Sequence, residues 1–513
     1  MTSSMVVRVV HAVLGAAVGV LWLVLPGMTT TAGDPVAITG DGPVASAPAQ
    51  DEEDDESSVA DLVLPLVVAG VAVVLAGYGY ARRTRRARTR TTPGGHPVPP
   101  PPPPFAELDA RARASLVEAD DCVRTSREEL GFAEALFGAA AVAPFERAVR
   151  AAEAELSAAF RMRQRYDDGV PEDAAARRRA LAEITGRCRE AGRRLDAEAA
   201  GFDQLRGLER GGGEAPAVAE ARFRELTDRT ADAEGLLVEL GERYPPAATA
   251  PVTGYVAQAK GRLVFAAARL DRTRRSADAG DATGAARQLR AAEGALSQAA
   301  VFVSGVERLA TELSAATEMV PAALTGAEVE VAEARGWLAG GPTAASAVPV
   351  GELRARILHA DIVLASVREA LTGGPYDPLG ALRRIVRAVV PVGVGRAGVL
   401  PAAASLVARS AVGAADGFVA THRRAVGAEA RTRLAEAQRL LAAEPAEPAA
   451  ADGLARQARD LAEQDVRLYG HPVAGAAEEA SGAVLGGIVL GGTPDGGPPM
   501  SFGGPDTRGR RTA

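Results

Sequence analysis

The sequence predicts a mainly α-helical protein, and three observations support this fold class. Aromatic residues make up only 4% of the 513 residues, while helix-favouring alanine, arginine, leucine and glutamate dominate. Beyond Phe105, apolar residues recur at alternating intervals of three and four, the spacing of helices that pack lengthwise on a neighbour. Short segments rich in glycine and proline separate these stretches. We therefore expect an elongated region of antiparallel coiled-coil or helical hairpins.

The N-terminus has the order of a secretory signal. Arg8 precedes a mostly apolar run from Val9 to Leu25, and small residues follow as far as Ala32. This pattern predicts a signal peptide over residues 1–32, or an uncleaved membrane anchor in the same place.

A second apolar segment, residues 62–81, predicts one transmembrane helix. It contains no charged residue, and as a helix it spans about 30 Å, the thickness of a bilayer's hydrocarbon core. A short acidic segment, residues 33–61, precedes it, and a basic cluster follows it directly. The basic cluster consists of Arg82, Arg83, Arg85, Arg86, Arg88 and Arg90. Because arginines stay on the cytoplasmic side, we expect a single-pass protein of the cell membrane with its N-terminus outside and its bulk in the cytoplasm.

The basic cluster has two further interpretations, an anionic lipid site and a nucleic-acid site. Arginines next to a transmembrane helix usually mark topology and contact lipid. The net charge of −7 gives no reason to expect a nucleic acid. We therefore expect the lipid bilayer as a partner and no nucleic acid.

The remaining chain divides into a linker, a helical region and a tail. Residues 82–105 form the linker, whose proline run favours an extended spacer. Residues 106–470 form the cytoplasmic helical region, which we expect to bind an unknown protein partner through helical faces and which leaves oligomerisation possible. Residues 471–513 are rich in glycine and proline, and we expect this tail to be disordered because it cannot bury a core.

Four apolar stripes are the clearest sign of helices in the cytoplasmic region. Breakers rich in glycine, proline or aspartate separate them at 211–216, 244–246, 279–284 and 340–342. The stripes are Ile184, Cys188, Ala191, Leu195, Ala199, Phe202 and Leu205; Phe223, Leu226, Thr230, Ala233, Leu237 and Leu240; Leu289, Ala292, Leu296, Ala299, Val303, Val306, Ala310 and Leu313; and Leu353, Ile357, Ala360, Leu364, Val367 and Leu371.

One segment matches a dinucleotide-binding motif. Gly393, Gly395 and Gly398 fit the GxGxxG pattern, and Asp416 follows at about the distance of a ribose-binding acid. Pro401 comes too soon for the helix that such a site needs, and helical stripes lie on both sides with no sheet to join. We expect residues 389–406 to be the weakest point of the helical region, because proline and glycine disfavour helices.

The sequence contains no other catalytic or metal-binding motif that we recognise. HExxH, P-loop, GxSxG and CxxC patterns are absent, and the five histidines are scattered. Cys122 and Cys188 are the only cysteines, and we expect buried, reduced thiols. We therefore predict no catalytic residue, no cofactor and no metal.

Several cytoplasmic segments have a recognisable sequence. They are "ELDARARASLVEADDCVRTSREELGFAEALFG", "AFRMRQRYDDGVPED", "AGRRLDAEAAGFDQLRGLE", "APVTGYVAQAKGRLVFA", "GGPYDPLGALRRI" and "ARTRLAEAQRLL…ARQARDLAEQDVRLYG". The chain resembles the actinobacterial TPM domain-containing membrane proteins in these segments, the signal, the membrane helix and the tail. The resemblance implies an extracytoplasmic TPM domain, a small α/β module with phosphatase activity in some relatives.

The chain departs from that family where the TPM domain is expected. "AGDPVAITGDGPV" resembles the start of the domain, but the segment 33–61 is too short to fold into it. No active-site residue of the family therefore has a counterpart here.

Three hypotheses about function follow from the sequence. The leading one is a membrane-anchored helical scaffold or interaction protein of the cell envelope, with no catalysis of its own. The second is a phosphatase-related protein that acts with or regulates a TPM-domain enzyme, or a nucleotide-linked enzyme that uses the glycine motif. The third is an anionic lipid or nucleic-acid binder that uses Arg82–Arg90.

Overall fold

The computed structural model describes residues 103–208, 213–339, 349–392, 398–469 and 501–512. These residues form helices and no β-strand, which confirms the mainly α class for this part of the chain. None of the helices described there is long and apolar enough to span a membrane. The predicted signal peptide, acidic segment, transmembrane helix and basic cluster all lie outside the described residues.

The described helices are numbered in chain order. They are α1 (Phe105–Phe137), α2 (Ala139–Asp167), α3 (Ala174–Arg206), α4 (Ala215–Arg243), α5 (Pro246–Thr249), α6 (Tyr255–Asp278), α7 (Ala282–Ala339), α8 (Val350–Thr372), α9 (Pro378–Val389), α10 (Leu400–Thr421), α11 (Ala428–Ala442), α12 (Pro448–Tyr469) and α13 (Pro505–Thr512). Short 3₁₀ turns follow α5 at Ala250–Val252 and α9 at Val390–Val392.

The helices pack as bundles that succeed one another along the chain. Helices α1, α2 and α3 share the first core. The first half of α7 packs with α4 and α6, and its second half packs with α8, α9 and the start of α10. Helices α10, α11 and α12 share the last bundle. The 58-residue helix α7 therefore connects two of these packing units.

The four apolar stripes predicted from the sequence face these cores. Every member of the stripes is buried or partly buried. Two helices, α3 and α9, begin after an aspartate whose side chain accepts a hydrogen bond from the first turn. Asp173 accepts from the N–H of Ala176 at 2.8 Å, and Asp377 accepts from the N–H of Gly380 at 2.9 Å. The structure confirms the helices, while the elongated coiled-coil form stays a prediction.

Two expectations about segments rich in proline and glycine need correction. Pro401 lies in the first turn of α10, where its missing N–H has no helical partner to lose, so it does not interrupt a helix. Val389 and Leu406, the ends of the segment expected to be weakest, are buried in the core that the second half of α7 shares with α8 and α9, and the relative stability of this segment stays a prediction. The prediction of a disordered tail over 471–513 is wrong for residues 501–512, which end in helix α13.

Candidate peptide-binding groove

An aromatic cluster forms where the C-terminal segment meets the first bundle. Phe145 of α2 and Phe202 of α3 lie edge to face, with ring centroids 5.3 Å apart. The Phe502 ring lies 4.4 Å from Phe202, stacked at 18°, and 5.9 Å from Phe145, edge to face. Phe502 is completely buried. Such aromatic pairs contribute about 0.5–1.5 kcal/mol beyond the area they bury, so Phe502 anchors this contact.

Side chains of the bundle bind the backbone that follows Phe502. The hydroxyl oxygen of Ser126 accepts a hydrogen bond from the N–H of Gly503 at 3.2 Å. Asp196 Oδ1 accepts from the N–H of Gly504 at 2.9 Å and from the N–H of Thr507 at 3.0 Å. It also accepts from the hydroxyl of Thr507 at 2.5 Å. The N–H groups in these contacts lie just before helix α13 or in its first turn, where a helix offers them no partner.

Asp196 acts as the N-cap of helix α13, although it belongs to α3. A helix leaves its first N–H groups without partners inside the helix and carries a partial positive charge at that end. The Asp196 carboxylate supplies both the hydrogen-bond acceptor and the negative charge. The bundle thus completes a helix that the segment cannot cap by itself.

Two glycines allow the backbones of the two partners to approach each other. A Cβ atom on Gly504 would lie 2.3 Å from the carbonyl oxygen of Gly192 in α3. A Cβ atom on Gly192 would lie 2.6 Å from Cδ of Pro505. Gly503 has φ of +133°, which disfavours other residues. The fit therefore favours glycine at positions 503 and 504 of the segment and at position 192 of the bundle.

We call residues Ser501–Arg508 the docking segment. We call the surface that receives it the groove, formed by Ser126, Phe145, Gly192, Asp196 and Phe202. At the end of the docking segment, Arg508 Nη2 donates to the carbonyl oxygen of Asp121 in α1 at 3.0 Å. Helices α1, α2 and α3 therefore contact the docking segment from Phe502 to Arg508.

The two cysteines lie in the same bundle. Cys122 and Cys188 are both free and buried, as the sequence predicted. Burial raises the pKa of each thiol to about 12, so neither is a thiolate near neutral pH. Their surroundings do not activate them as nucleophiles.

A buried network of charged groups ties the first bundle to the last. The guanidinium of Arg431 in α11 donates to Asp120 at 2.6 Å and to Asp121 at 2.7 Å, both in α1. Arg423, in the loop before α11, donates to Glu128 of α1. Burial alone would raise the pKa of Asp120, but Arg124 and Arg431 hold it below its usual value. These ion pairs hold α1 against α11 and against the loop before it.

Most of the candidate site residues named from the sequence lie outside the described part of the chain. The basic cluster Arg82–Arg90 and two glycines of the GxGxxG motif, Gly393 and Gly395, lie outside the described residues. Asp416, the predicted ribose-binding acid, accepts a hydrogen bond from Arg124 Nη2 at 3.0 Å. It is thus part of the charged network between α1 and α10. Among the described residues, no group of three or more His, Cys, Asp or Glu could hold a metal ion.

Sequence reasoning missed the docking segment, although two signals were present. Phe502 is an aromatic residue among glycines and prolines, and Pro505 followed by Asp506 is a typical helix start. Neither signal indicates what the segment binds. The partners of Phe502 are Phe145 and Phe202, which lie at least 300 residues earlier in the chain. Only the folded structure brings these rings together.

Comparisons with known proteins found two relatives in an actinobacterium. They are the UPF0603 proteins of Mycobacterium tuberculosis strains CDC 1551 / Oshkosh and H37Rv. Each is 31% identical to this chain over 431 residues, which are 77% of this chain and 64% of the relative. The chain thus spans less than two thirds of the length of these curated relatives. No protein-family model and no solved structure matched the chain. The TPM relationship stays a prediction.

Proposed function

We propose that the protein is a membrane-anchored helical scaffold, without catalysis of its own, that binds a peptide segment in the groove of its first bundle. The observation that carries this proposal is the complete burial of Phe502 between Phe145 and Phe202. A peptide-binding site needs an apolar anchor pocket and donors or acceptors for the backbone, and the groove has both.

Charge and geometry support recognition of a peptide. Asp196 Oδ1 accepts three hydrogen bonds, all from Gly504 and Thr507 of the docking segment. The carboxylate is thereby committed to capping a helix. Ser126 is completely buried and binds the N–H of Gly503. Asp196 and Ser126 therefore position the backbone of the docking segment.

The groove is tested by adding the docking segment as a separate peptide. The protein is the full chain with Phe502→Ala, which removes the anchor of its own segment and keeps the groove. A fluorescent peptide of residues 500–512 is titrated into it, and fluorescence anisotropy reports binding. We expect saturable binding of one peptide per chain.

The matched control is the double variant Phe502→Ala with Gly192→Ala, whose added Cβ obstructs the site of Pro505. We expect the peptide to lose its affinity for this variant. Equal binding by both proteins, or none by either, would contradict a peptide-binding function of the groove.

The membrane anchor is supported by the uncharged segment 62–81 and the arginines after it. Reporter fusions test it separately. A fusion at the C-terminus should report the cytoplasm, and one inserted near Ser46 should report export. Alkaline phosphatase activity from the C-terminal fusion would contradict the proposed orientation.

A further inference from the structure

The groove and the docking segment make only non-covalent contacts with each other. Recognition uses the ring of Phe502, the N–H groups of Gly503, Gly504 and Thr507, and the side chain of Arg508. Nothing in these contacts depends on which chain supplies the segment. Residues 470–500 join the segment to α12, and at about 3.3–3.6 Å per residue a connection of that length reaches at most about 110 Å.

We propose that the groove also takes the docking segment of a second copy of this chain, so that two copies exchange their C-terminal segments. This inference rests on the proposed function of the groove and names its partner. Each chain carries one groove and one docking segment. Two copies therefore make the same contact twice, with the segment of each in the groove of the other, which is a closed and symmetric arrangement.

The chemistry of the groove favours this occupant over an unrelated peptide. The close approach at Gly192 and Gly504 excludes a side chain at either position. Asp196 caps a helix that begins at Pro505, three residues after the anchor Phe502. The chain's own C-terminus satisfies all these requirements together. A second copy is thus a partner whose complementarity is already visible in the structure.

Local concentration decides between the two arrangements. A segment in its own groove and a segment in a neighbour's groove make identical contacts, so their ratio depends on the effective concentration of each. A tether raises the effective concentration of the chain's own segment. Two copies held on one membrane raise that of the neighbour's segment, and exchange increases with the density of the protein.

The test mixes two full-length variants that are each defective in one half of the contact. Phe502→Ala keeps the groove and lacks the anchor. Gly192→Ala keeps the segment and blocks its own groove, because the atoms nearest to the added Cβ belong to Pro505. Sedimentation velocity at micromolar concentration, in the same buffer or detergent, measures the mass of each variant alone and of the equimolar mixture.

We expect the mixture to form a species of about twice the mass of either variant alone, because the intact segment of one enters the intact groove of the other. Gly186→Ala, an added methyl group in the same helix with open space around it, serves as the control and replaces Gly192→Ala in one arm. This control chain occupies its own groove, so its mixture with Phe502→Ala should contain less of the heavier species.

Three results would overturn the inference. In the first, the mixture does not associate although the separate peptide binds Phe502→Ala; the groove then binds peptides but does not exchange segments, and the proposed function stands. In the second, Gly192→Ala alone forms as much of the heavier species as the mixture does; the contact between the two copies then lies outside the groove. Failure of both the mixture and the separate peptide would refute the proposed function as well.

Discussion

The ring of Phe502 is stacked on that of Phe202, with the two centroids 4.4 Å apart, although 300 residues separate the two along the chain. Burial of a phenylalanine side chain contributes about 1.5–3 kcal/mol. The rest of the docking segment consists largely of glycine and polar residues, so this ring supplies most of its apolar contact. Docking of the C-terminus therefore depends on one anchor and on the close fit around it.

The first prediction concerns that fit. Gly192→Ala should release the docking segment, because the new Cβ would lie 2.6 Å from Cδ of Pro505. The substitution should not harm helix α3, since alanine favours a helix by about 1 kcal/mol over glycine. Hydrogen exchange measured by mass spectrometry should show lost protection of residues 501–512. Gly186→Ala should leave that protection intact, and equal protection in both variants would contradict the role of Gly192.

The second prediction concerns the helix cap. Asp196→Ala removes the acceptor for the N–H groups of Gly504 and Thr507, and loss of an N-cap costs about 0.5–2 kcal/mol. In chains that also carry Phe502→Ala, the affinity for the docking segment as a separate peptide should fall by about 2- to 30-fold. Asp196→Asn keeps an oxygen acceptor and loses the charge, so it should bind with intermediate affinity. Identical affinities for all three proteins would show that the cap contributes nothing.

The third prediction concerns the network between the first and last bundles. Arg431→Met removes the partner of Asp120 and Asp121, and breaking a buried ion pair costs about 3–5 kcal/mol. We expect the lower end of this range, because Arg124 still pairs with Asp120. Urea titration followed by circular dichroism measures the free energy of unfolding.

Arg439→Met is the control on the same helix. Arg439 forms an exposed pair with Glu436, and such pairs contribute about 0–1 kcal/mol. The two variants should therefore differ clearly in their unfolding midpoints. A loss for Arg431→Met no larger than that for Arg439→Met would mean that the network does not hold the bundles together.

The helices and their buried faces could be predicted because they depend on local pattern. The spacing of Leu195, Ala199 and Phe202 alone identifies one face of α3, and all three are buried. The groove could not be predicted, because it depends on the fit between Gly192 and Pro505, which no local pattern encodes. The role of Asp196 could not be predicted either, since one aspartate on a charged helix gives no sign that it caps another helix.

Composition was misleading for the C-terminus. A glycine-rich segment cannot form a core of its own, and disorder is the usual consequence. Gly503 and Gly504 instead serve the contact, because their missing side chains allow the close approach to α3. The expectation failed because it considered the segment alone and left out the bundle that supplies its apolar partner.

A second buried cluster of charges lies where the first bundle meets α7. Arg206 Nη2 of α3 donates to both carboxylate oxygens of Glu293 at 2.7 and 2.8 Å. Arg290 of α7 lies 3.8 Å from Glu129 of α1 and 3.4 Å from Asp203 of α3. Three carboxylates thus face two guanidinium groups. Burial, together with the charge of Glu129, raises the pKa of Glu293 from 4.5 to about 7, although Arg206 opposes this shift.

The last prediction is that Glu293 makes stability depend on pH. The folded state holds the proton of Glu293 more tightly than the unfolded chain does, so this contribution is complete below about pH 4.5 and is lost as the pH rises through about 7. Each unit of pKa difference corresponds to about 1.4 kcal/mol, which makes the total loss on the order of a few kcal/mol. Glu293→Gln imitates the protonated carboxyl at every pH. Its free energy of unfolding, relative to the original protein, should therefore rise between pH 5 and pH 8.

Urea titrations at several pH values measure this difference, and Glu318→Gln, an exposed position on the same helix, is the control. The control should run parallel to the original protein across the range, because an exposed carboxylate has nearly the same surroundings in the folded and unfolded states. Other buried carboxylates titrate equally in all three proteins, so the difference isolates Glu293. A relative stability of Glu293→Gln that falls with pH would mean that the attraction of Arg206 exceeds the effect of burial and that Glu293 is charged in the folded protein.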